Sequence, residues 1–221
     1  MKTPREIYAH YKILPALQLH QLRVAAVGKM VTEHFSGDLD AHTITLACLF
    51  HDMGNVLKFD LTQFPEFLEP EGAEYWAGVK AEYEKKYGTD QHAATLAMAR
   101  EIGLSDEVIT CIDSVAFSKA EATLAEGSWE QKICEYADSR VAPRGILSLD
   151  ERLREARERY MKRKGEHDIA IVPEERFEEI VEAEREIERR IFAHMSLKPE
   201  DITDASIAPI VEKLWDYGIA T

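Results

Sequence analysis

Cysteine is scarce in this 221-residue chain. Cys48, Cys111 and Cys134 stand far apart in apolar helical contexts, with no Cys-x-x-Cys. An odd number without paired spacing leaves no disulfide framework to read, and reduced core cysteines are the expectation. Long hydrophobic runs are missing too. No stretch reaches 18 apolar residues, and the start, Met1-Lys2-Thr3-Pro4-Arg5-Glu6, carries no apolar signal core. No membrane association is expected, and a cytoplasmic location is. Positive charge is in the minority: 27 Lys and Arg stand against 41 Asp and Glu, a net charge of -14. That balance excludes broad nucleic-acid binding, which needs a basic face to displace counterions. A small phosphorylated substrate stays open, because a metal and a few local Arg or Lys dominate the field inside a cleft. Walker phosphate loops, Gly-x-Ser-x-Gly elbows and Rossmann glycine patterns do not occur, nor do repeats or low-complexity segments. The common nucleotide-dependent and serine-hydrolase classes fall with them.

Strand signals are few, and helix punctuation is abundant. Hydrophobic residues make up 45% of the chain and charged residues 31%, enough for a real core under a solvated surface. Pro15 opens a predicted helix to about Phe35, ended by Ser36-Gly37. Asp40 caps the next, which carries Ile44, Leu46, Ala47, Leu49 and Phe50 into His51-Asp52, with Gly54 marking its end. Residues 55–90 are less regular. They hold Pro65, Pro70, Gly72 and Gly88 and seven aromatics between Phe59 and Tyr87. They read either as a lid or substrate-side loop with a short helix near 73–87, or as a peripheral connection packed by its own aromatics. Further helices are predicted at 90–102, closed by Gly103, and at 106–118, capped by Ser105. Ser128-Trp129-Glu130-Gln131 is a capping box opening another. Ser148 opens a helix to Gly165, Pro173 one to about His194, and Ser206 to Tyr217 closes the chain. The Glu- and Arg-rich stretch 150–195 reads as a solvated helix pair held partly by i,i+4 charge pairs. Its apolar positions are free to pack on the core or on a second subunit, so a homodimer is one expectation. The fold class that follows is all-α.

The chemistry starts at His51-Asp52. Two metal-binding side chains sit side by side at the end of an apolar helical run, Leu46-Ala47-Cys48-Leu49-Phe50. Packing gives no reason for this, since burying an unpaired carboxylate costs several kcal/mol. A metal ion removes the conflict, and imidazole plus carboxylate suits a divalent transition metal. Two more candidates occupy similar ground: His20 in Leu19-His20-Gln21-Leu22, and Asp138 in Tyr136-Ala137-Asp138-Ser139-Arg140.

His, then His-Asp, then a distant Asp, each in a matching helical context, resembles the HD superfamily of metal-dependent phosphohydrolases over roughly residues 15 to 150. The resemblance implies a helical HD bundle at 1–150 with a helical extension at 151–221 packed on it. It implies His20, His51, Asp52 and Asp138 as metal ligands, with Asp52 also orienting a metal-activated water. The metal would be Mn, Fe, Co, Ni or Zn, with Mg also open. His92 looks like the third His of members that hold two metals. The next such His is missing, however, and the matching region, Ile109-Thr110-Cys111-Ile112-Asp113, offers Asp113. His92 is therefore open as a phosphate contact, a second-metal ligand or a helix cap. Position 55 holds Asn where many members carry Lys and some carry a proton-transferring Glu. Asn55 hydrogen-bonds but does not titrate, which leaves Asp60 and Glu66 as nearby acids. Substrate phosphate is expected to meet Arg23, Lys58, Arg140 and Arg144, with Arg23 and Lys58 the better candidates. His34, His42, His167 and His194 lie in polar surroundings and read as surface residues. A nucleotide is the expected substrate class, because the aromatics of 59–87 offer stacking for a base. The alternative is a non-catalytic metal- or nucleotide-binding sensor.

Overall fold

The computed structural model describes residues 1–62, 64–166 and 174–219. Among them are eleven α-helices and one two-stranded sheet, as the all-α reading requires. Pro173 and His167 lie outside the described residues. In chain order the helices are α1 (Pro4–His10), α2 (Pro15–His34), α3 (Ala41–Phe50), α4 (Gly72–Tyr87), α5 (Gln91–Ile102) and α6 (Asp106–Ser114). They continue as α7 (Ala120–Glu126), α8 (Trp129–Asp138), α9 (Leu149–Glu166), α10 (Glu174–Phe192) and α11 (Asp204–Leu214).

The caps explain the boundaries. Asp40 accepts from the backbone N–H groups of His42 and Thr43 at the start of α3. Ser128 and Gln131 close a reciprocal capping box at the start of α8. Three elements went unread in the sequence, one of them the seven-residue helix α7. Helix α1 has only seven residues, too short for a periodic pattern, and is set by the Thr3–Glu6 capping box. The hairpin pairs β1 (Val141–Ala142) with β2 (Gly145–Ile146) across Pro143-Arg144. Helix α6 stops at Ser114 rather than near 118, and a separate 3-10 turn spans Phe117–Lys119.

Helices α2, α3, α6 and α8 form the centre, each of α2, α3 and α8 packed on the other two. Their inner faces are almost wholly apolar: Leu22, Val24, Ala25, Val27, Ile44, Ala47, Leu49, Phe50, Ile112, Ile133, Tyr136 and Ala137 are fully buried. Gly28 lets α2 and α3 approach closely, because a Cβ there would lie 3.1 Å from Cys48 Sγ and 3.2 Å from Ile44 Cγ2. Helix α10 lies on α7 and α8, and α11 lies on α2. Ile180, Ile187, Ile191, Ile207 and Leu214 from these helices join the same core as α2 and α3. A small satellite cluster of Leu149, Leu153, Phe177 and Val181 ties α9 to α10. No described helix is long and apolar enough to cross a membrane.

Candidate metal centre

The central helices converge at one end. His20 comes from the second turn of α2, His51 and Asp52 directly follow α3, and Asp138 is the last residue of α8. The ligand atoms of His20, His51 and Asp52 all lie within 4.8 Å of one another. Asp138 Oδ1 stands 3.1 Å from His20 Nε2 and 3.3 Å from His51 Nε2. Asp52 Oδ2 stands 3.7 Å from His20 Nε2 and 3.8 Å from His51 Nε2. Four residues separated by up to 118 positions thus meet because the helices carrying them share one core.

The state of His51 tests whether these residues suit a metal. Its ring is 4% exposed. Nδ1 lies 2.9 Å from the Cys48 carbonyl, which only accepts, so in the neutral ring Nδ1 carries the proton. Nε2 is then a lone pair turned to the carboxylates. It is buried without a hydrogen bond, its distance to Asp138 being an ion-pair contact without hydrogen-bond geometry. A backbone carbonyl fixing the far nitrogen of an imidazole is the usual arrangement behind a metal-ligating His. The donor set of two imidazoles and two carboxylates suits a divalent transition metal.

Electrostatics agree. Burial disfavours a charge on His51, but the Asp52 and Asp138 carboxylates and the Cys48 carbonyl outweigh it and push the group up to about 10. Burial likewise works to raise Asp138, yet the adjoining imidazoles of His20 and His51 hold its carboxyl well below the usual range. The pocket is built to hold positive charge among carboxylates.

Residues not anticipated from the sequence complete the support. Asn55 Nδ2 donates to Asp52 Oδ2 at 2.8 Å, so the residue that does not titrate orients a candidate ligand. Gln21, fully buried beside His20, accepts from the Asp52 backbone N–H at 3.3 Å. Tyr8 of α1 donates to the Leu49 carbonyl at 2.7 Å and satisfies one of the orphan carbonyls that end α3. Gly54 N donates to Thr95 Oγ1 at 2.9 Å, and a Cβ on Gly54 would lie 2.2 Å from the Gln91 carbonyl, so α5 presses directly on the His-Asp turn. A polar residue on a buried helical face was the signal for Gln21. Nothing local marks Tyr8 or Thr95.

The remaining expected residues are placed differently. His92 Nε2 lies 2.7 Å from Asp113 Oδ1, which Lys119 Nζ also meets at 3.0 Å. An ammonium and an imidazole share that carboxylate. Arg23, one turn from His20, lies 3.7 Å from Asp204. Lys58 is exposed. Arg144 is exposed and pairs with Glu66 at 3.0 Å. Arg140 requires a correction. It is 2% exposed, and its guanidinium donates to the carbonyls of Leu147, Pro199 and Ile202 and to Tyr136 Oη, with Glu188 at 3.9 Å. It pins the hairpin and the segment before α11, with four of its five N–H groups spent on these acceptors from a buried position. Asp60 caps the backbone N–H of Thr62. His34 and His194 lie on the surface, as does His42, whose Nδ1 meets Tyr217 Oη at 2.6 Å.

A family model described as HD domain matches residues 18–142, more than half of the chain. The chain belongs to the HD-domain superfamily of metal-dependent phosphohydrolases. Members of that family are generally hydrolases of phosphoester bonds that bind divalent metals. No curated protein and no solved structure matches the chain.

Proposed function

We propose that this protein hydrolyses a small phosphoester, a nucleotide by preference, with a water activated at the His20, His51, Asp52 and Asp138 centre. One observation carries the reading: the buried, unbonded Nε2 of His51 among ligand atoms that all lie within 4.8 Å of one another. A divalent transition metal, if bound there, would supply a water of lowered pKa and polarisation of the phosphorus centre. His20, His51 and Asp138 act as holding groups. Asp52, kept in place by Asn55, would both hold the metal and orient the attacking water. Arg23 shares the His20 face of α2, and Lys58 follows the His-Asp turn; both supply positive charge to the phosphate. Arg144, in the hairpin that follows Asp138, is the third cation proposed for the phosphate.

The test is a phosphate-release screen over nucleoside mono-, di- and triphosphates and cyclic nucleotides, with Mn, Co, Ni, Fe, Zn and Mg in turn. Turnover that needs a metal and disappears in Asp52→Ala supports the reading. Full turnover by Asp52→Ala overturns the assignment of the centre. A second reading, a nucleotide sensor, is favoured by one observation: Asn55 is a non-titrating donor spent on Asp52, so no proton-transfer group stands at that position. A sensor binds nucleotide in this screen and releases no phosphate.

A further inference from the structure

Phe64 is one of four large hydrophobic residues that stay exposed among the described residues, at 41%. A single exposed Phe is ordinary. This one also sits in the left-handed region at φ 55°, ψ 59°, which a bulky side chain avoids. Only Lys12 shares a positive φ among the described non-glycine residues, and Lys12 lies just past the end of α1, where such a turn is common. A strained backbone that holds an aromatic ring outward is a pattern associated with functional sites.

The surroundings of the ring fit a planar guest. Phe64 stacks on Phe67 with centroids 5.3 Å apart and planes at 23°. The Arg144 guanidinium lies 5.9 Å from the Phe64 ring centre, held by Glu66 at 3.0 Å. This cluster joins two segments that leave the metal centre. The 3-10 turn Pro65–Leu68 lies in the connection after His51-Asp52, and Arg144 lies in the hairpin after Asp138. Both pack on α2, which carries His20. Asp204 links the hairpin back to Arg23 on that helix, accepting from Ile146 N at 3.2 Å. Leu19, next to His20, is exposed on the same helix at 36%.

We infer that Phe64, stacked on Phe67 and with the Arg144 guanidinium over its ring, is the platform on which the planar ring of the substrate stacks while its phosphate lies at the metal centre. The inference rests on the phosphohydrolase reading and narrows it to phosphoesters that carry an aromatic base. Stacking on a side-chain ring is tolerant of base identity, because every base has a π-face. The platform therefore selects for a base and discriminates weakly among bases.

The test compares a nucleoside monophosphate with ribose 5-phosphate in the presence of Mn, for the parent chain, Phe64→Ala and Phe64→Trp. Both kcat/KM and calorimetric Kd are read. The ratio of nucleotide to ribose 5-phosphate, in kcat/KM and in affinity, should fall roughly tenfold in Phe64→Ala through KM and recover in Phe64→Trp. Phosphate release with a ratio unmoved in Phe64→Ala overturns the platform and leaves the hydrolase standing. Nucleotide affinity that depends on Phe64, without any phosphate release, keeps the platform and overturns the hydrolase. No nucleotide binding by the parent chain overturns the platform outright.

Discussion

At the scale of single residues, the centre depends on how each ligand is held. His51 has one nitrogen on a carbonyl and the other free, so its geometry is set before any ion arrives. Asp52 depends on Asn55. In Asn55→Ala that carboxylate loses its only side-chain donor, and kcat should drop about tenfold while metal content, read by elemental analysis, stays near the parent value. Loss of metal together with activity would instead make Asn55 part of the holding set. Of this arrangement His51-Asp52 was legible at once, because adjacent ligand types at the end of an apolar run have no packing explanation. Asn55 was read only as a departure from a family pattern, since its use depends on where Asp52 points. Arg140 was misread for the same reason. An Arg two residues after a ligand looks like a phosphate contact, and only the surrounding carbonyls show it to be a buried strut.

At the scale of elements, close contact sets the positions of the ligands. Helix α5 touches the His-Asp turn through Gly54, where even one methyl group would collide with the Gln91 carbonyl. Gly54→Ala should therefore push α5 away from α3, costing about 2 kcal/mol or more as overpacking and lowering the thermal midpoint. Metal affinity, read by titration, should weaken with it. Gly28→Ala is milder, because the neighbours at 3.1 and 3.2 Å are side-chain atoms that can yield. A stability change of at most about 1–2 kcal/mol is expected by chemical denaturation, the gain in helix propensity offsetting part of the crowding. The starts of α2, α3, α6 and α8 were readable from Pro15, Asp40, Ser105 and Ser128. Capping is local chemistry, decided by a side chain within three residues of the helix start. The hairpin of 141–146 was not readable, because two residues per strand are too few to show alternation.

At the scale of the whole molecule, the last third of the chain is bound into the site's own scaffold. Glu184 of α10 is fully buried against α8, accepts from Ser139 Oγ at 3.1 Å and faces Glu135, which itself accepts from Ala116 N at 2.8 Å. Asp138 and Arg152 add opposing charge nearby. Burial and the facing carboxyls drive Glu135 well up, and burial pushes Glu184 up to about 7. The folded chain thus holds a proton that the unfolded chain releases. The stabilisation from Glu184 is complete below the unfolded value of 4.5 and is lost as pH rises through about 7. Glu184→Gln keeps an acceptor for Ser139 and removes the titration. Its stability should vary less between pH 5 and 8, and at pH 8 it should exceed the parent by up to about 3 kcal/mol. Parallel denaturation curves for parent and variant across that range would refute the shared proton.

The division of labour between sequence and tertiary structure follows from range. Helix starts, the all-α class and the candidacy of His20, His51, Asp52 and Asp138 as metal ligands were determined by residues within a few positions of one another, where caps, periodicity and adjacent donors act. Tertiary packing decided the rest. It brought four candidate ligands from three helices to one point, left His51 Nε2 unbonded, and gave Asn55 its carboxylate. It turned Arg140 inward, paired His92 with Asp113, and buried Glu184 of α10 beneath α8. These outcomes depend on distances between residues far apart in the chain, which only a packed core fixes.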